Sequence, residues 1–446
     1  MDSMTRQRIY SLTLAFFSVL LALFLCETGL RFLSFQPEYY YVWPPYFHST
    51  LKPLSDITPG IKGESRFIVN SKGVRGDELA LDSRYKILAL GGSSTECTFL
   101  DHAEAWPFLL QERLTRAASK GRVWVGNAGR SGNTTSQHIL QMKYLYIRPP
   151  QKPMADSVFR PKNPELEPQG AQLPQFPDID AVIILPGIND LTVALSRDRG
   201  RNLNKDEPEE ELLMSAFSVI PLGSKSDLAF YKKTALWQAC KKMRYLVFSA
   251  GHDQDIYARQ YITWRRYRKN ASVIINILPD MSQALEEYSR NINAMIDIGR
   301  QKGTRLIFLT QPVLWKPGLS KDLQDLLWLG GVGNFQKEEG REYYSVDALA
   351  QGMDMYNAVL LKVCKDRHVE CIDLASMLPK DTTVFYDDCH FNESGSQKVS
   401  EILAQYLLQH KNNPSTQAMA SKIGTRQKGT HLFEECPQMT RPQYLY

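Results

Sequence analysis

The sequence predicts an α/β protein built on a parallel sheet with helices over both faces. Two observations carry this expectation. Short, fully apolar runs recur along the chain, and a stretch with helical spacing separates one from the next. The composition, 43% hydrophobic and 23% charged over 446 residues, is that of an ordinary globular chain with two or three domains' worth of length and a large core. It excludes a mainly disordered chain, a collagen-like chain and a polytopic membrane protein. The 53 Lys and Arg against 48 Asp and Glu leave +5, too thin a surplus at this length to support nucleic-acid binding, which needs a concentrated basic face. Seven cysteines are too few for a disulfide scaffold.

The elements follow in order. Residues 9–26 are uncharged and strongly apolar, with LTLAFFSVLLALFL at the centre. Roughly 18 residues are just enough to cross a ~30 Å hydrocarbon core as a helix. A cleaved signal peptide needs small residues before the cut, and no A-x-A-like site is present. A lipoprotein signal wants small residues before Cys26, where Phe24 and Leu25 stand. An uncleaved anchor is therefore the expectation, with Arg6 and Arg8 favouring a cytoplasmic N-terminus and the rest of the chain outside the cytoplasm. The alternative is a buried core helix, against which the extreme N-terminal position speaks. Residues 1–35 are assigned to this anchor. Residues 36–82 read as a connector and N-terminal extension, aromatic and Pro-rich at first (FQPEYYYVWPPYF) and suited to a membrane interface, then a short strand and turn punctuated by Gly73 and Gly76.

The alternating pattern begins at residues 85–90 (YKILAL), a strand, with helical spacing over 105–118. A second strand spans 122–126 (RVWVG), followed by helical spacing over 135–147 and a Pro-rich loop over 148–177. Residues 181–185 (AVIIL) and 305–310 (RLIFLT) are buried strands, the latter after an amphipathic helix over 281–302. A helix over 345–367, a strand over 369–374 and a last helix over 393–410 complete the pattern. Residues 191–280 interrupt it with a Lys/Arg/aromatic stretch over 231–268. That stretch reads either as a surface for anionic glycans or lipid headgroups, or as amphipathic helices with solvated basic faces, and the second is the preferred expectation. Residues 413–446 read as a flexible polar tail. No internal repeat is visible.

Four loops carry the chemistry. LGGSSTEC places Ser93 directly after the first buried strand, where side chains at C-terminal strand ends face the ligand crevice. Gly91 and Gly92 permit a tight turn there. Thr95 stands where the G-x-S-x-G elbow needs Gly, and no GK[ST] marks a phosphate loop. NAGRSGNTT, after the second strand, holds Gly129 and Gly132 in a loop able to present free N–H groups. ILPGINDL, after the third, offers the Asn189 amide, with Asp190 placed to fix the loop. FYDDCHFNESG, before the last helix, spaces Asp387 and His390 as D-x-x-H. In a turn, that spacing lets a carboxylate hold one ring nitrogen while the other faces outward. Taken singly, each reads equally as an ordinary turn.

Taken in order, a Ser turn, a Gly loop and an Asn loop after successive strands, closed by D-x-x-H, resemble the SGNH (GDSL-type) serine hydrolase and esterase family. The resemblance covers roughly residues 85–410, interrupted between Asn189 and about residue 280, and points to a membrane-anchored bacterial member. It implies a three-layer α/β/α fold on a five-stranded, flavodoxin-like parallel sheet, here over residues 83–412 with a helical insertion at about 191–280. It implies Ser93 as nucleophile, His390 as base and Asp387 as its partner. The oxyanion hole would comprise the Ser93 N–H, the Gly132 N–H and the Asn189 side chain. One departure is plain: Gly92 stands where the family's Gly-Asp-Ser has Asp.

The expected function is that of an extracytoplasmic esterase acting on an O-acyl group of a small molecule or glycan, acetyl on a glycan by analogy. Two alternatives stay open: an O-acyltransferase with the same acyl-serine chemistry, and a non-catalytic scaffold or glycan-binding module. No cofactor is implied, and no Cys/His set has zinc-ligand spacing. An assembled triad would bring Cys97 and Cys389 together, so in an oxidising compartment they read either as a disulfide or as two independent buried thiols. Cys364 and Cys371 flank a helix-to-strand turn and form a second candidate pair. Asn133, Asn270 and Asn392 head N-x-[ST] sequons. Glycans on the first and last would obstruct the site, which favours a bacterial periplasm over a secretory pathway.

Overall fold

The computed structural model describes residues 3–33, 40–118, 121–145, 179–197, 209–219, 231, 234–237, 239–240 and 255–409. The Pro-rich loop and the polar tail lie outside these residues, as does much of the insertion. The first helix, α1 (Ser3–Leu33), contains the apolar run. Its segment Tyr10–Leu30 has mean hydropathy 2.0 and is not buried against the rest of the protein. It is long and apolar enough to cross a membrane.

Two short strands, β1 (His48–Leu51) and β2 (Ser65–Ile68), pair antiparallel. The main sheet then follows: β3 (Ser83–Gly91), β4 (Arg122–Asn127), β5 (Ala181–Leu185), β7 (Arg305–Leu309) and β9 (Glu370–Ile372). Every neighbouring pair is parallel, in the order β4-β3-β5-β7-β9. Counted within the sheet this is 2-1-3-4-5, the flavodoxin-like order. All five residues of β5 and of β7 are buried, as strands covered on both faces must be.

The helices supply the covering. Helices α3 (Trp106–Ala117) and α4 (Thr135–Tyr144) follow β3 and β4. Right-handed crossovers running in opposite directions from the centre put them on opposite faces. The last helix, Glu393–Gln409, packs on α3, while Ser282–Gln301 packs on both α4 and Val346–Arg367. The expected boundaries of these elements agree with the observed ones to within one to three residues. The sheet order leaves a switch point between β3 and β5, and the loops that begin at Gly91 and Pro186 open into the crevice outside their carboxyl ends.

Residues 40–82 are packed on this domain. Tyr40 and Val42 are buried, and Tyr41 exchanges backbone hydrogen bonds with Val219. The described insertion holds the helix Asp255–Lys269 and also a strand, β6 (Ile274–Ile275), paired parallel with β8 (Tyr343–Tyr344), where helix alone was expected. The solvated basic face expected there is corrected at two positions. Arg265 is buried and donates to the Leu326, Ile57 and Tyr386 carbonyls. Arg268 donates to Leu329 and Tyr344 carbonyls. Both guanidiniums are spent inside the protein.

One ion pair ties β7 to β9. Arg305 makes two bonds to Glu370, at 2.7 and 2.6 Å, with Arg305 only 3% exposed. Removing one partner strands the other charge, so Arg305→Ala should cost about 3 kcal/mol, while the double change to Met should cost less than either single change. Urea denaturation midpoints of the three variants check this ordering.

Candidate active site

The loops after β3, β4 and β5 and the turn before the last helix meet in one place. Gly91 ends β3, Gly92 caps a one-turn helix, α2 (Ser93–Glu96), and Ser93 is its first residue. Among the described residues no acceptor takes the Ser93 N–H, an orphan donor as expected at a helix start. Gly92 answers the departure noted above: a Cβ there would lie 2.4 Å from the Asn189 Nδ2. Gly132 has φ +82°, a backbone that favours glycine, and its N–H also meets no acceptor among the described residues. Asn189 donates one amide hydrogen to the Asn133 carbonyl at 2.8 Å, which leaves the second N–H available.

His390 Nε2 lies 2.6 Å from Ser93 Oγ. On the other side of the ring, Nδ1 is 2.8 and 2.7 Å from the Asp387 oxygens. A carboxylate on Nδ1 requires the hydrogen there, so the Ser93 O–H donates to Nε2. Asp387 Oδ1 also accepts the Cys389 and His390 N–H groups at 3.0 and 2.9 Å, and Oδ2 accepts the Trp328 Nε1–H at 2.9 Å. Tyr386 stacks on the imidazole at 5.4 Å and 10°.

The electrostatics follow from this geometry. Burial opposes the charge on Asp387, but the His390 ring and the donors from His390 and Trp328 outweigh it and hold the carboxyl below its usual range. Burial also disfavours a charged imidazole, yet the adjacent Asp387 raises His390 well above its ordinary value. His138 is the contrast. It is buried, with no carboxylate beside it among the described residues, and burial pushes it down to about 4. Asp387, Cys389 and His390 bring three potential metal ligands within 4.8 Å. The Asp387 oxygens already accept N–H groups, and burial raises the Cys389 thiol pKa.

Sequence reasoning missed the residues that hold these loops. Glu96 is buried and accepts the Ser131 N–H beside Gly132 and the Thr98 hydroxyl. Arg75, 1% exposed, donates to the Glu96, Cys97 and Leu100 carbonyls at the C-terminal end of α2. Nothing in the spacing of a single arginine 18 positions upstream marks such a role. Asn133 and Asn392 are buried at 3% and 1% exposure, so neither amide is open to a glycan.

Of the two readings for Cys97 and Cys389, the structure carries the independent buried thiols. Cys97 sits at φ +57° and turns its sulfur toward the Ser94 carbonyl at 3.4 Å, while Cys389 Sγ faces His390 Nδ1 at 3.8 Å. Burial pushes the Cys97 thiol up to about 11. Cys364 and Cys371 are also free and buried.

With this geometry in view, a family model decides the relationship. Residues 89–398 match the GDSL-like lipase/acylhydrolase family. The chain belongs to that family. It is an SGNH-type hydrolase, an esterase or acylhydrolase. No curated protein matches the chain. Among solved structures, it is similar to LAE5, an α/β hydrolase from the metagenome of Lake Arreo, Spain, at 14% identity and TM-score 0.35, covering 73% of this chain and 97% of that one. It is also similar to Axe2, an acetylxylan esterase from Geobacillus stearothermophilus, at 13% identity and TM-score 0.32, covering 78% of this chain and all of that one.

The buried thiols give a direct check. A thiol reagent should modify exposed Cys240 in the native protein, and Cys97, Cys364, Cys371 and Cys389 only after denaturation. A cross-linked Cys97–Cys389 peptide from non-reduced native protein would contradict the free-thiol arrangement.

Proposed function

We propose that the chain is a membrane-anchored, extracytoplasmic serine esterase acting on an O-acyl ester through Ser93, His390 and Asp387. The observation that carries this reading is the 2.6 Å contact between Ser93 Oγ and His390 Nε2, with Asp387 on the opposite nitrogen. In this reading His390 takes the Ser93 proton as Oγ attacks the ester carbonyl. The charge that develops on the carbonyl oxygen is met by the Ser93 N–H, the Gly132 N–H and the second amide hydrogen of Asn189. His390 then returns the proton to the leaving alcohol, and water releases the acyl group from Ser93 by the reverse steps. Asp387 holds the ring orientation and stabilises the imidazolium.

The unburied apolar helix supports the anchor, and Arg6 and Arg8 ahead of it support a cytoplasmic N-terminus. The catalytic domain, residues 83–412, then lies outside the cytoplasm, in the periplasm if the source is bacterial. A small cavity beside Ser93 and His390 is lined by the apolar side chains of Phe99, Leu100 and Phe391 and by Cys97. Acetyl esters on a glycan are the class to test first.

The test is fluorophosphonate labelling and ester turnover by the full-length chain in detergent. Labelling should vanish in Ser93→Ala, with kcat down by about 10⁴ or more. An Asn189→Ala change should lower kcat by roughly 10²–10³. A folded wild-type protein that does not label would overturn the reading.

The pH dependence has a definite sign. His390 must be neutral to take a proton, and its pKa is raised above the ordinary 6.5. Activity should therefore fall as pH drops through a value above 6.5. An acid limb centred below 6.5 would contradict the proposed pairing.

A further inference from the structure

We propose that Trp328 is a positioning residue for the Asp387–His390 pair, and that the insertion helix Asp255–Lys269 holds it in place through Trp264. The proposal rests on the triad reading above. Trp328 belongs to none of the four motifs and lies 59 residues before Asp387 in sequence. Its indole is 6% exposed, and its Nε1–H is the one side-chain donor other than His390 on the Asp387 carboxylate among the described residues.

Trp328 is fixed from three directions. Asp388, the next carboxylate in the chain, accepts the backbone N–H groups of Trp328 and Leu329 at 2.8 and 3.3 Å, and the Trp315 Nε1–H at 2.9 Å. The consecutive acids therefore divide the work: Asp387 holds the imidazole, and Asp388 holds the backbone of the residue that holds Asp387. On the other face of the indole, Trp264 stacks at 4.5 Å and 24°. Tyr261, one turn earlier on the same helix, packs edge-on against both Trp328 and His390 at 5.6 and 6.5 Å. Arg265 and Arg268 bind the Leu326 and Leu329 carbonyls on either side of the indole. A helix inserted between β5 and β7 in sequence is thereby fastened to the turn that carries the base.

The chemistry of one N–H on Oδ2 is specific. It fixes the plane of the carboxylate so that Nδ1 is met squarely, and it draws charge from the oxygen. Without it, Asp387 becomes more basic and holds the imidazolium more strongly. The other ionisable groups around the pair are Asp388, Arg268, Cys389, Cys97, Tyr261 and Tyr386.

The test is Trp328→Phe in the full-length chain, which keeps an aromatic ring in the stack and removes the N–H. The expected result is a folded protein with kcat down about tenfold, KM within about twofold, and the acid limb of the pH profile raised by about half a unit. The downfield Nδ1–H proton resonance of His390 should shift as well. A purely structural role would lower the melting temperature and leave the acid limb and the resonance in place, which would overturn the proposal. Should Trp328→Phe not fold, Trp264→Leu carries the test: a folded protein with the same direction of shift supports the proposal, and an unmoved acid limb and resonance reject it. Failure of the triad reading is distinguishable, because wild-type turnover would then survive Ser93→Ala.

Discussion

A carboxylate taken wholly out of water needs donors for its lone pairs, and the Asp387 side chain, with no exposure, imposes that demand on everything around it. Two donors come from the backbone of its own turn, at Cys389 and His390, one from the His390 ring and one from Trp328. The turn donors set the fold of the DDCH segment. The ring donor selects the imidazole tautomer that leaves Nε2 toward Ser93. The distant donor draws residues 326–329, and with them the insertion helix, onto the site. A site whose polar groups are satisfied in this way is rigid, because each rearrangement would strand a buried donor or acceptor.

The Ser93 side of the site is organised by the complementary ion. Arg75 is fully buried, and burial lowers its pKa. Its guanidinium meets the carbonyl oxygens at the C-terminal end of α2, where the partial negative charge of even a short helix end suits a cation. The Phe67 ring covers it at 4.6 Å. Arg75 comes from the segment before the sheet, so residues 40–82 belong to the site's support. Glu96 extends the same frame to the glycine loop through Ser131. The proposed oxyanion donors thus stand on elements tied to one another by buried polar contacts, the arrangement that electrostatic preorganisation demands.

Local signals account for what could be read in advance. The runs at 85–90, 181–185 and 305–310 announce strands because a parallel sheet buries both faces and leaves no alternation to obscure them. Ser93, Gly132 and Asn189 lie in loops that follow sheet strands, where side chains or N–H groups reach the crevice, and Asp387 and His390 lie in the turn just before the last helix. The cysteines were harder to read. Sequence placed Cys97 and Cys389 near each other but said nothing of the left-handed backbone at Cys97, which turns its sulfur toward Ser94. The arginines of the insertion read as a solvated face because helical spacing cannot show that Arg265 has three loop carbonyls within reach.

Local sequence established the order of strands and helices, the apolar N-terminal segment and the four candidate site loops. These depend on periodicity and on residue type at neighbouring positions. The distant groups that complete the site came to light only in the packed chain: Trp328 on Asp387, Arg75 beneath α2, Glu96 on the glycine loop, and Trp264 against Trp328. The physical reason is that a buried polar group is satisfied by whichever donor or acceptor the packed chain brings within about 3 Å. Sequence separation places no limit on that partner, so no local pattern records it.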